Sequence, residues 1–197
     1  MMNNSKITKA ELAGLPIEEY SGKIVLVDSD EDVEKAVTEL SQQSKIGFDT
    51  ETRPSFRKGH RYNVALMQFA TENACYLFRI NKIGIPQPLI GFLADPGVTK
   101  IGLSLRDDFS AIRRRTETPL CGFLDLQDYV GQFGIADASL QKIYAILFGK
   151  KISKRQRLTN WEAPALSEWQ QKYAALDAWA CLVIHTHLSN GKQQPLQ

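Results

Sequence analysis

Four acids arrive in three separated pieces, each where an apolar run ends or an amphipathic segment begins: Asp49 and Glu51 in IGFDTE, Asp108 in KIGLSLRDDF, and Asp177 in KYAALDAW. A fold that lays the apolar runs side by side collects these acids into one pocket. Four carboxylates in one pocket need cations. Hard divalent ions such as Mg²⁺ or Mn²⁺ take oxygen ligands and keep positions for water and phosphate, and this points to metal-assisted phosphodiester chemistry.

Each piece has its own geometry. In 45–49 the apolar Ile46 and Phe48 alternate with Gly47 and Asp49, which is the period of a strand. Side chains two apart on a strand share a face, so Asp49 and Glu51 are expected to grip one ion together. Taken alone, Asp-x-Glu is more often a solvated strand end. Asp108 follows 99–105, where Ile101, Leu103 and Leu105 alternate, and precedes Phe109, Ala111 and Ile112 on a predicted helix. A lone acid there reads as an N-cap or first-turn acid favoured by the helix dipole, and Asp107 is a rival for the same role. Tyr173 and Asp177 lie four apart in a predicted helix, so a phenol and a carboxylate share one face. By itself that pair reads as a packed Tyr with a surface Asp beside it.

The order of elements predicts an α/β chain with some antiparallel pairing. Strands are expected over 23–27, 45–49, 64–70, 75–78, 99–103 and 120–124, with Glu72 and Asn73 turning a hairpin between the third and fourth. Helices are expected over 31–42, 87–93, 108–115, 125–133, 139–148 and 167–188. Residues 1–22 read as a loosely packed extension, 23–189 as one domain and 190–197 as a frayed tail. With 197 residues, 43% of them hydrophobic and 23% charged, the chain can bury a full core. No apolar run approaches the length that crosses a bilayer, and MMNNSKITKAEL lacks a signal-peptide core, so a cytoplasmic location is expected. Cys75, Cys121 and Cys181 are odd in number and scattered, and are expected to be reduced packing thiols. His185 and His187, two apart on a helix, do not share a face, so surface or core roles outrank ligation for both.

Net charge is only +2, but acids gather over 28–34 and bases over 113–115 and 150–157. In KKISKRQR five of eight residues are basic. Such a run is either a solvated loop or a cradle for backbone phosphates, which Lys and Arg neutralise without reading sequence. Lys154, Arg155 and Arg157 are the first candidates for holding a strand. Arg53, Arg57, Lys58 and Arg61, in a Gly-containing loop after Glu51, form a second set. Leu66 and Met67 in NVALMQF are read as core, not as a wedge against a base.

Together the pieces resemble the DEDDy branch of the DnaQ-like 3′–5′ exonucleases, in particular the Werner-type exonuclease domain and RNase D. The resemblance runs over residues 23–189 through IGFDTETRPSFRKG, NVALMQFATENACYLFRI, TKIGLSLRDDFSAI and LTNWEAPALSEWQQKYAALDAWACLVIH. The Asp-x-Glu, the second-motif Asp and the Tyr-x-x-x-Asp occur in the family's order. The resemblance implies an RNase H-like fold, with a mixed central sheet flanked by helices. It implies a metal-dependent 3′–5′ exonuclease acting on nucleic acid with a free 3′ end, DNA favoured, and releasing nucleoside 5′-monophosphates. Two divalent ions, Mg²⁺ or Mn²⁺, would be held by Asp49, Glu51, Asp108 and Asp177, with Tyr173 orienting the attacking water. The resemblance assigns the second-motif role to Asp108, although the family often has Gly or Phe where Asp107 stands. Two alternatives accompany it. One is RNase D-like 3′ trimming of RNA, which stands open beside the DNA reading. The other is a nucleic-acid-binding module that has lost catalysis, which the presence of all four acids and Tyr173 disfavours.

Overall fold

The computed structural model describes residues 6–57, 59 and 62–191; Lys58 and Arg61 lie outside the described residues. Six strands, β1 (Lys23–Val27), β2 (Lys45–Thr52), β3 (Val64–Ala70), β4 (Ala74–Phe78), β5 (Thr99–Gly102) and β6 (Phe123–Asp125), form one sheet in the order β1-β4-β3-β2-β5-β6. Strand β3 runs antiparallel to both its neighbours, β2 and β4, while β1 with β4, β2 with β5 and β5 with β6 are parallel pairs. The sheet is therefore mixed. The β3–β4 hairpin turns at Glu72 and Asn73, closed by the Thr71 N–H donating to the Ala74 carbonyl at 2.8 Å. The helices are α1 (Lys9–Gly14), α2 (Asp30–Leu40), α3 (Ile80–Ile83), α4 (Gln87–Ala94), α5 (Leu105–Arg113), α6 (Leu126–Val130), α7 (Leu140–Phe148) and α8 (Glu168–Gly191). None of these helices is long and apolar enough to cross a membrane.

Strand periodicity sends alternate residues into two cores, one on each face of the sheet. Phe48, Met67, Phe69 and Phe78 meet Val33, Leu40, Phe92 and Ile112 on one side. Their rings interlock edge to face, with Phe69 and Phe78 at 5.3 Å and Phe69 and Phe92 at 5.4 Å, a geometry that the ring quadrupole favours. On the other side Leu66, Ala70, Cys75 and Leu77 pack against Ala174, Ala178 and Cys181 of α8 and Ile143 of α7. Leu66 and Met67 are fully buried in opposite cores. Cys75, Cys121 and Cys181 are all free thiols. His185 packs on Tyr129 at 4.9 Å and His187 on Phe148 at 5.2 Å.

Helix α8 comes unusually close to the sheet. Its inner face carries Ala174, Ala175, Ala178 and Ala180, and opposite them β2 presents Gly47. A Cβ on Gly47 would lie 1.9 Å from the Ala178 carbonyl oxygen, so no larger side chain is compatible with this packing. The neighbouring cross-strand position, Ala70, is also small.

Several elements differ from the pattern-based expectation, each for a local reason. The predicted strand over 120–124 is instead Phe123–Asp125, because Gly122 turns through φ 70° and cannot extend the strand backwards. Helix α5 starts at Leu105, not 108. Ser104 sits at φ 62°, a left-handed conformation, and its N–H and that of Leu105 donate to the Asp125 carboxylate at 2.9 and 2.8 Å. This early start moves Asp108 from the predicted helix entrance into the first turn. The predicted helix over 125–133 is α6 followed by a 3₁₀ turn at Gly131–Phe133. Residues 1–22, read as loosely packed, contain α1, whose Thr8 and Glu11 form a capping box. The following segment docks by its backbone: the Glu18 N–H donates to the Lys151 carbonyl and the Lys151 N–H to the Pro16 carbonyl, both at 2.9 Å. Tyr20 is buried. Among the bases at 113–115, Arg115 donates to the Val64 and Ile80 carbonyls at 3.0 and 3.1 Å and so serves the fold.

Gly47→Ala drives a methyl group into a main-chain carbonyl that cannot move without shifting α8. The substitution is expected to cost about 3 kcal/mol, the upper end of ordinary overpacking, and to lower Tm by roughly 6–12 °C. Thermal unfolding of the purified variant measures this, and an unchanged Tm would show that α8 does not press on β2.

Candidate active site

The acids are delivered by three elements. Strand β2 continues to Thr52, which places Asp49 and Glu51 on the face toward α8, in step with Gly47. Helix α8 supplies Asp177 one residue before Ala178, the residue that Gly47 admits. Oxygens of Asp49, Glu51 and Asp177 come within 4.8 Å of one another. Glu51 and Asp177 are each only 8% exposed, and Asp49 is half-buried.

Asp108 stands beside this trio. Its carboxylate accepts a hydrogen bond from the Thr50 hydroxyl, and Thr50 lies between Asp49 and Glu51 on β2. The turn that aims it is held by Asp125, whose carboxylate also accepts from the Gln127 N–H at 2.9 Å and so caps α6. Asp107 points elsewhere: it is exposed and lines a separate hollow with Arg53, Tyr62 and Arg114. The choice between the two adjacent acids is thus one of direction on the helix.

Tyr173 is one turn before Asp177 on α8, with its hydroxyl hydrogen-bonded to that carboxylate. Its ring lies beside Trp161 at 6.1 Å, and Trp161 is fully buried. Burial, reinforced by the charges of Asp177 and Glu51, pushes the Tyr173 phenol far above its ordinary pKa. It therefore remains protonated.

Desolvation is the first cause of strain among the carboxyls, and mutual repulsion adds to it. Asp49 is raised well above the ordinary range by burial and by the charges of Asp108 and Asp177. Glu51 is raised in the same way by burial, Asp49, Asp177 and Asp108, with Arg157 pulling it back. Asp177 is pushed up to about 7 by burial, against the hydrogen bond from Tyr173 and the charge of Lys154. Asp108 is pushed up to about 6 by burial, against its bond from Thr50.

The basic loop therefore borders the acids. Lys154, Arg155 and Arg157 are all exposed, and two of them are felt electrostatically by Asp177 and Glu51. In the second set, Arg53 is engaged by Glu162 at 3.3 Å and lies over the Tyr62 ring at 4.8 Å, while Arg57 is exposed.

Three residues of this neighbourhood escaped the pattern analysis. Thr50 and Asp125 position Asp108, and neither has a sequence signal beyond being polar. Gln68 pairs in register with Asp49, is completely buried, and has neither amide atom hydrogen-bonded among the described residues. A single amide inside the otherwise apolar VALMQFA was the available clue.

The donor set fits a hard divalent cation. Buried carboxylates that repel one another, with only exposed cations nearby, are stabilised by an ion of high charge that prefers oxygen.

The sequence family described as 3′-5′ exonuclease matches residues 24–191. Among curated proteins, the bifunctional 3′-5′ exonuclease/ATP-dependent helicase WRN of Mus musculus is 32% identical over 186 residues, covering 89% of this chain and 13% of that protein. A 3′-5′ exonuclease of Arabidopsis thaliana is 30% identical over 190 residues, covering 88% of this chain and 66% of that protein. The chain thus spans only part of these relatives. Among solved structures, the Aedes aegypti Nibbler EXO domain superposes with a TM-score of 0.77 at 23% identity, covering 88% of this chain and 91% of that one. Escherichia coli RNase D gives 0.74 at 20% identity, covering 89% of this chain and 47% of that one. These two likenesses establish a shared fold, the RNase H-like arrangement.

Two expected outcomes follow from the burial of these groups. Gln68→Met removes two unpaired amide atoms at similar volume, each worth about 1–3 kcal/mol when left unsatisfied, and should raise Tm by several degrees in a thermal melt; a lower Tm would mean that the amide is paired. The carboxyls have folded-state pKa values above their unfolded ones, so the folded chain binds more protons than the unfolded chain between about 4 and about 7. Metal-stripped protein should accordingly lose Tm as pH rises through that window, and Mg²⁺ or Mn²⁺ should restore it at neutral pH. A Tm that climbs across the same window without metal would contradict the repulsion.

Proposed function

This chain belongs to the 3′-5′ exonuclease family, and we propose that it hydrolyses phosphodiester bonds from the free 3′ end of a nucleic-acid strand, releasing nucleoside 5′-monophosphates. The observation that carries this reading is the trio of Asp49, Glu51 and Asp177, with Tyr173 bonded to one of its members. DNA is the favoured substrate, on the strength of the Werner-type likeness in sequence.

Asp49, Glu51 and Asp177 would hold one divalent ion, and Asp49 with Asp108 a second, with Mg²⁺ or Mn²⁺ the natural choices. Bound there, the ions would supply Lewis acidity at the phosphate and a lowered pKa for the attacking water. The chain's own groups do the rest. Tyr173, kept protonated by its surroundings, orients that water through its hydroxyl and acts as neither base nor nucleophile. Thr50 holds the Asp108 carboxylate against β2, between the two acids that the strand carries. Lys154, Arg155 and Arg157 neutralise strand phosphates, with Arg53 and Arg57 approaching from the loop after Glu51. None of these contacts reads base identity, so broad sequence tolerance is expected.

A 5′-labelled single strand, incubated with Mg²⁺ or Mn²⁺, should shorten from its 3′ end in single-nucleotide steps, and chelation should stop it. Asp49→Asn and Asp108→Asn should each lower the rate by at least about 100-fold, since each removes charge stabilisation from the reacting phosphate. Asp107→Asn should leave it within a few-fold. An RNA strand run in parallel tests the RNase D-like alternative. Digestion that resists chelation, or products ending in 3′ phosphate, would overturn the proposal.

A further inference from the structure

We propose that the groove between the N-terminal segment and the start of α8 is a subsite for an unpaired base of the substrate strand, stacked on Trp169. This rests on the exonuclease reading above and extends it to where the strand runs. The groove encloses about 380 Å³ and is shared by Ile17, Arg155, Gln156, Trp169, Lys172 and Tyr173, among others. Tyr173 belongs both to its wall and to the candidate active site.

The geometry of α8 makes the connection. Trp169, Tyr173 and Asp177 stand at i, i+4 and i+8, so an aromatic platform, a hydroxyl and a buried carboxylate lie along one stripe of the helix. At about 1.5 Å per residue, Trp169 is roughly 12 Å from Asp177 along the axis. A base that reaches Trp169 therefore belongs to a nucleotide on the 5′ side of the bond being cut. Trp169 is 64% exposed and Ile17 opposite is 50% exposed, so two large apolar side chains face each other across open groove. Every nucleobase has a π-face, and stacking on an exposed indole needs no particular sequence.

Charge divides the groove in the way that such a ligand needs. Arg155 belongs to the basic loop and is the cation beside the platform that phosphates would meet, while the Lys172 ammonium, 5.7 Å from the Trp169 ring, is paired with Glu168 at 2.6 Å. Of the acids on the opposite wall, Glu18 is neutralised by Lys150 at 3.0 Å and also accepts from the Tyr144 hydroxyl. Glu19 remains and repels phosphate from that wall, which directs the backbone toward Arg155. The wall itself is preformed, because the Ile17 segment is fastened to Lys151 by the two main-chain hydrogen bonds described above.

The test compares wild type, Trp169→Ala and Trp169→Phe on single strands of 2 to 12 nucleotides, alongside quenching of tryptophan fluorescence by oligothymidylate in metal-free protein. For wild type, KM should fall once strands become long enough to reach the groove. Trp169→Ala should raise KM for those longer strands on the order of tenfold, with kcat within twofold, and should erase the length step. Trp169→Phe should recover most of the affinity, yet lose the quenched component, since Trp161 is buried and Trp179 does not line the groove. If Trp169→Ala keeps the wild-type length profile and the strand quenches all three proteins alike, the groove holds no base and the proposal is overturned. Should wild type cut no strand while Trp169 is still quenched, the exonuclease reading fails and the subsite stands.

Discussion

The approach of α8 to β2 at Gly47 is the contact on which the site depends. Asp49 and Glu51 ride on β2, and Tyr173 and Asp177 ride on α8, so the spacing between these two elements sets the spacing between the carboxylates. A glycine on the strand and alanines on the helix bring the backbones close enough for the Ala178 carbonyl to occupy the volume of a missing Cβ. Dispersion and apolar burial over the rest of the interface supply the force that holds this approach. The acids themselves oppose it.

That opposition explains the polar scaffolding around the site. Burial raises the pKa of every carboxyl in the cluster, and repulsion from neighbouring acids adds to it at Asp49, Glu51 and Asp108. Two of the acids are nevertheless kept in place, Asp108 by Thr50 and Asp177 by Tyr173, whose ring packs on Trp161, while Asp125 holds the α5 entrance. The fold thus maintains an arrangement that is unfavourable for the chain alone and favourable around cations. Local instability of this kind is a common accompaniment of functional sites.

The basic loop and the N-terminal segment form a second coupled unit. Lys151 belongs to the loop and is bonded on both main-chain sides to residues 16–18, so the loop is anchored by a segment distant in sequence. Neighbouring Lys154 and Arg157 then face the acids from solvent. Cations that are tethered but exposed can exchange a carboxylate for a phosphate at little cost in desolvation, which buried partners could not do.

Much of this was legible from local pattern. Strand alternation alone put Asp49 and Glu51 on one face, and helical periodicity put Tyr173 and Asp177 on one stripe, because both regularities depend on backbone geometry within a few residues. The edges of β1, β3 and the hairpin turn followed from the same patterns. Other features had no local signature. The direction of Asp108 against Asp107 depends on where α5 begins, and that is decided by Asp125, twenty residues beyond Leu105 in the chain and adjacent only after β6 pairs with β5. Gln68 became a neighbour of Asp49 through antiparallel register, and the N-terminal segment became a groove wall through its bond to Lys151. The sequence by itself determined which residue types could do chemistry and which of them share a face. Only the tertiary structure decided how the faces meet, because that distance is set by packing between elements remote in the chain.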